Sequence, residues 1–168
     1  IQHPVNIRCP TPIPLGGDGE RRHPEGVRVA IVTESFLPHM NGVTGSVMQI
    51  LRHLERRGHD ARVLAPAAFG IPAELHGAPV TAIPSVPLPG YRDVRVGAAT
   101  TRRIGAELDR FRPDVVHLAS PFALGWRGLL AAERGGVGTV AAYQTDVAAY
   151  TERYRVAVTT GIAHAHIA

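Results

Sequence analysis

The chain's 168 residues, 45% of them hydrophobic and 19% charged, suffice for one well-cored globular domain and exclude wholesale disorder. Its formal charge of +4 is carried by arginine alone, and the absence of lysine rules out a Schiff-base nucleophile and a P-loop lysine. A single cysteine, Cys9, excludes an internal disulfide framework and fits a reducing cytoplasm, and no run approaches the roughly 18 apolar residues that span a bilayer.

Residues 1–26 hold Pro4, Pro10, Pro12, Pro14 and Pro24 with glycines between them, keep no period of 2 or 3.6, and lack the apolar stretch of an export signal. They read as a flexible leader. Val27 to Thr33 is a near-continuous apolar run, the pattern of a strand buried on both faces. A polar loop, Thr33 to Gly42, follows. Val43, Val47, Ile50, Leu51 and Leu54 then form one apolar stripe of a helix, with Gly58 placed to end it in a left-handed conformation. The second strand runs from Ala61 to Ala65 and is stopped by Pro66. A third strand, Val80 to Ile83, lies between prolines, and the segment SVPLPGYRDVRVG after it reads as a loop.

Gly97 to Phe111 is predicted as a helix with Ile104, Leu108 and Phe111 on one face; Arg112-Pro113 ends it. Asp114 to Leu118 is a fourth strand. Ser120-Pro121 opens a helix over 122–134, and Gly135-Gly136 closes it. Val137 to Tyr143 is a fifth strand with Gln144-Thr145-Asp146 in the loop behind it. Val147 to Ala168 reads as helical without a stop signal, so the chain end looks like a cut. Strands alternating with helices predict right-handed crossovers and an α/β fold: a Rossmann-like parallel sheet with helices on both faces, filling residues 27–168 as one domain.

Ligands of such sheets gather at the carboxyl edge of the strands. That edge carries residues 33–42, 66–69, 117–122 and 143–150. Asn41-Gly42-Val43 puts a glycine just before a helix, where backbone can approach a ligand and free N–H groups point at it, a natural seat for a phosphate or diphosphate. The plainer alternative is a helix start that uses Asn41 as its cap and Gly42 for a turn. No GxGxxG follows the first strand, no GxxxxGK[ST] exists, and no GxSxG elbow is present.

The stretch VRVAIVTESFLPHMNGVTGSVMQILRHLERRGHDARVLAP resembles the N-terminal domain of the family 4 retaining glycosyltransferases, and RPDVVHLASPFALGWRGLLAA and AYQTDVAAY are similar to the same family. The motifs look most like the actinobacterial branch that transfers mannose from GDP-mannose to lipid-linked or inositol-containing acceptors. The resemblance implies a GT-B fold, two Rossmann-like halves across a cleft, of which this is the acceptor-side half. The partner half, which holds the nucleotide-sugar site and a glutamate pair, would be supplied in cis, and the fragment alone is expected to be inactive. It also implies Asn41, Gly42 and Val43 as the loop facing the donor diphosphate, with Glu34, Phe36 and Pro38 shaping it. The acceptor pocket falls to His117, Ser120, Tyr143, Gln144, Thr145 and Asp146. Gln144 stands where many relatives have a histidine, and a glutamine orients a sugar hydroxyl without carrying a proton.

Retention in this family is thought to need no protein nucleophile; the leaving diphosphate assists, and the protein stabilises its charge. No metal or other cofactor is expected, and no nucleic acid. His164 and His166, two apart, do not share a helical face. His39, His53, His59 and His76 read as solvated, and His117 as either a hydrogen-bonded structural histidine or a ligand contact. Tyr91, Arg92, Arg95, Arg102 and Arg103 form a cluster that would suit an anionic lipid surface, the alternative being a solvated arginine face. The expected whole is a cytoplasmic enzyme, peripheral on the inner face of the plasma membrane. Its rival is a non-catalytic α/β module for phosphorylated metabolites.

Overall fold

A computed structural model describes residues 26–88, 91–120 and 122–142. The elements in chain order are β1 (Arg28–Val32), α1 (Gly42–Arg56), β2 (Asp60–Pro66), β3 (Glu74–Leu75), β4 (Ala78–Ile83), β5 (Ser85–Leu88), β6 (Tyr91–Gly97), α2 (Thr101–Phe111), β7 (Val115–Leu118), α3 (Ala123–Gly135) and β8 (Gly138–Ala141). They build a six-stranded sheet in the order β3-β4-β2-β1-β7-β8. β4, β2, β1, β7 and β8 are parallel, and the short β3 runs antiparallel on the outer edge of β4.

Successive strand residues point to opposite faces, and both faces are covered. Val29 and Ile31 of β1, with Val63 and Ala65 of β2, pack against Val47 and Leu51 of α1. Ala30 and Val32, with Leu64, Val116 and Leu118, pack against Ile104, Leu108 and Phe111 of α2 and Leu124 of α3. That two-sided burial explains why β1 reads as an unbroken apolar run. Each fully buried aliphatic side chain contributes about 1.5–3 kcal/mol, which outweighs the ~1 kcal/mol that a glycine such as Gly45 costs within α1. Gly58 follows the end of α1 with φ +70°, the left-handed turn that its position predicts.

Several expectations are corrected. The segment read as a loop after the third strand is a two-stranded antiparallel ribbon, β5 with β6, separate from the main sheet. Pro87 sits in it because every strand of a two-stranded ribbon has an outer edge where a missing N–H is harmless. The next helix starts at Thr101 rather than Gly97, since the Thr100 side chain accepts the Arg103 N–H and caps it there. Pro66 is the last residue of β2, paired with Ile83, rather than a stop before it. β3 is too short for any periodicity to announce it. The leader up to residue 25 and everything from Tyr143 onward lie outside the described residues.

Candidate functional site at the strand-order switch

β1 is flanked by β2 on one side and β7 on the other; the crossover from β1 through α1 leads to β2, whereas the crossover from β7 through α3 leads the opposite way to β8. At the carboxyl ends of β1 and β7 the two following loops therefore diverge, which is where open α/β sheets form a ligand crevice. The first of these loops, residues 33–41, carries Glu34, Phe36, Pro38 and Asn41 of the expected site.

A closed set of hydrogen bonds fixes that loop. Thr33 Oγ1 donates to the Ser35 carbonyl at 2.8 Å. Asn41 Nδ2 donates to Ser35 Oγ at 2.7 Å, while Asn41 Oδ1 accepts the Thr44 N–H at 2.9 Å. The buried Thr44 hydroxyl donates to the His39 carbonyl at 2.9 Å. Its proton is thereby committed, so Ser35 is the donor in the 3.3 Å contact between the two hydroxyls. Phe36 anchors the loop in the core on the α1 side, Pro38 is exposed after a cis peptide, and the His39 N–H returns to the Phe36 carbonyl.

Asn41 is thus the N-cap of α1, as the plainer reading of the motif had it. Gly42 is not there for a turn. It is the first helical residue, lacks a positive φ, and a Cβ on it would meet nothing within 4 Å. No acidic residue stands in the first turn of α1 to neutralise its positive end. Replacing Asn41 with alanine removes the cap and the link to Ser35 together, and is expected to lower stability by about 1–2 kcal/mol. A urea midpoint indistinguishable from wild type would contradict the network.

Glu34 does more than shape the loop. Its Oε1 accepts the backbone N–H of both Leu124 and Gly125, at the start of α3, 90 and 91 residues further along the chain. The N-cap position of α3, Phe122, offers no side-chain hydrogen bond, and α3 also lacks an acidic first-turn residue. Burial pushes the Glu34 carboxyl above its ordinary value; the Leu124, Gly125 and Gly97 backbone groups and the nearby Arg127 guanidinium pull the other way. Arg127 itself donates to the Gly97 carbonyl at 2.9 Å.

On the β7 side, His117 is half-buried, with its value lowered by burial, and its buried Nε2 has no hydrogen-bond partner among the described residues. Ser120, 3% exposed, likewise leaves its Oγ unpartnered. His117 is in β7, next to its carboxyl end, and Ser120 is in the loop that follows. Tyr143, Gln144, Thr145 and Asp146 lie outside the described residues.

Within the arginine cluster, one member is already engaged. Arg95 is turned inward on Ser85, donating through Nε to Oγ at 2.7 Å and through a terminal nitrogen to the carbonyl at 3.0 Å. Arg102 and Arg103 are exposed on α2, and Tyr91 and Arg92 lie at the start of β6. Two histidines read as solvated are structural: His59 Nδ1 accepts the Val27 N–H, and His76 Nδ1 stands 3.3 Å from Glu55. They line a hollow of about 430 Å³ with Asp60 and Phe111, at the amino edge of the sheet and far from the loops above. Among the described residues no group of three or more His, Cys, Asp or Glu could hold a metal ion, and no helix is long and apolar enough to cross a membrane.

Sequence reasoning missed Ser35, Thr44, Leu124, Gly125 and Arg127. Ser35 and Thr44 had a faint signal, since an asparagine three residues before a threonine at a helix start is a capping pattern. The α3 amides had none, being backbone donors to a remote side chain.

The motif that begins in this loop has a family behind it. The model of Glycosyltransferase Family 4 matches residues 40–166. The chain belongs to that family. Among curated proteins, family 4 sequences similar to it include a GDP-mannose-dependent alpha-mannosyltransferase of Mycobacterium tuberculosis, 49% identical over 83% of this chain and 38% of that protein. The protein of the same name from Corynebacterium glutamicum is 42% identical over 78% of the chain and 32% of its own length. The sulfoquinovosyl transferase SQD2 of Arabidopsis thaliana is 32% identical over 76% and 25%. The chain thus spans about a third of the length of the mannosyltransferases it matches.

Proposed function

We propose that the complete protein is a retaining hexosyltransferase that moves mannose from GDP-mannose to a lipid-linked or inositol-type acceptor, and that this chain is its acceptor-side half. The carrying observation is family membership combined with an open, uncompensated helix start at Gly42 on the strand-order switch. A Cβ on Gly42 would meet nothing within 4 Å among the described residues, which leaves the space before the helix start open to a ligand. The N–H groups of Gly42 and Val43 would face the donor diphosphate, whose charge grows as the sugar leaves. The Thr44 N–H is already held by Asn41. No side chain acts as nucleophile in this reading; the leaving diphosphate assists the attack of the acceptor hydroxyl, and the loop stabilises the charge.

Binding of acceptor hydroxyls would fall to His117 and Ser120, whose Nε2 and Oγ have no partner among the described residues, and to Tyr143, Gln144, Thr145 and Asp146. Docking on an anionic membrane surface would fall to Arg102 and Arg103, with Arg95 already engaged. The nucleotide-sugar site itself is assigned to the length that the relatives have beyond this chain. Incubating the complete protein with GDP-mannose, UDP-glucose or UDP-N-acetylglucosamine and a membrane extract tests the reading. Mannose incorporation is expected from GDP-mannose only, and none from the 168-residue chain alone. Turnover by the chain alone, or a preference for either UDP-sugar, sinks it.

A further inference from the structure

The crevice at the switch point has two helix starts beside it, that of α1 and that of α3, and only one is open. The Glu34 carboxylate leaves the β1 loop, crosses the divergence between β1 and β7, and accepts the first amides of α3. Its other neighbours close the crossing. Arg127 of α3 donates to the Gly97 carbonyl at 2.9 Å and so ties the end of β6 to the same helix. A Cβ on Gly97 would lie 3.2 Å from the Leu124 side chain, so the end of β6 packs directly on the first turn of α3. The loop that carries Glu34 is in turn rigid through Thr33, Ser35, Asn41 and Thr44 to the first residues of α1.

We propose that Glu34 is a positioning residue for glycosyl transfer: its carboxylate locks the α3 start to the β1 loop, setting the distance between the Gly42 amides and the Ser120 loop. This rests on the functional reading above, in which the Gly42 side takes the donor diphosphate and the β7 side takes the acceptor. The same contact makes the α3 start unavailable to an anion, because an internal carboxylate already fills it. The diphosphate is thereby directed to α1 alone. A local capping residue at Phe122 would hold α3 equally well but would leave the two loops independent. Holding two reactants in register is worth large factors in rate, and small displacements cost about a hundredfold.

The test uses the complete protein with Glu34→Ala and Glu34→Gln. Glutamine retains an oxygen that accepts the α3 amides; alanine retains nothing. Glu34→Ala is expected to lower kcat by about tenfold or more, as misplaced reactants do, at a temperature where circular dichroism matches wild type. The KM for acceptor should change little, and Glu34→Gln should recover most of the loss. Amide exchange at Leu124 and Gly125 reads the tether without any activity and should accelerate in Glu34→Ala, with the β2 amides unchanged. Wild-type kcat in Glu34→Ala, no recovery in Glu34→Gln, or unaltered exchange at the two amides each overturns the proposal. A wild-type protein that transfers no sugar overturns the functional reading instead, and the exchange measurement then still decides whether Glu34 holds α3.

Discussion

Gly42→Val in the complete protein is expected to abolish measurable transfer while leaving the fold intact. A Cβ at this position meets nothing within 4 Å among the described residues, and the residue has an ordinary helical backbone that valine can adopt. At the first position of a helix, exchanging glycine for valine changes stability by no more than about 0.5 kcal/mol. The isopropyl group would instead stand over the Gly42 and Val43 amides and keep a diphosphate from them. Losing such preorganised donors costs about 10²–10³ in rate. Urea denaturation and a transfer assay on the same sample separate the two effects. A variant with wild-type turnover removes the α1 start from the site; a variant that is inactive because it is unfolded shows that Gly42 is packed after all.

Gly125→Ala is expected to fail in the opposite way, through the fold. A Cβ at this position would overlap the Ser120 carbonyl, a backbone atom that no rotamer change can clear. The α3 start or the Ser120 loop must shift, and overpacking of this kind costs about 1–3 kcal/mol. The shift also pulls the Gly125 N–H away from Glu34, which leaves a buried carboxylate short of a donor and adds to the loss. The urea midpoint should fall clearly, whereas Gly45→Ala, whose Cβ meets nothing within 4 Å, should leave it unchanged or raise it. Equal midpoints for Gly125→Ala and wild type would mean that α3 sits further from Ser120 than the structure has it.

These two glycines mark how far a sequence reaches. The arrangement of β1, α1, β2, β7, α3 and β8 was legible because local periodicity encodes it: an apolar run buried on both faces, and the stripe Val47, Leu51 and Leu54 on one side of a helix. The β5–β6 ribbon was hidden by its prolines, which say loop wherever the sheet edge is unknown. The start of α1 was legible as well, as an asparagine and a glycine before a helix, together with the family likeness of that stretch. What Asn41 and Gly42 each do was decided only in three dimensions, because capping depends on where Oδ1 points and openness depends on what is absent around a Cβ.

The role of Glu34 was least legible of all. Sequence places it in a loop after the first strand; only the sheet order β2-β1-β7 brings that loop to the first turn of α3, 90 residues away. By itself the sequence determined the α/β class, the family and the loop on which to look, since each of these is written in short-range patterns of residue type. Tertiary structure decided which helix start is open and which is filled, whether Arg95 is free or engaged on Ser85, and which histidines hold the fold. Those are contacts between remote segments, and no local pattern carries the distance between them.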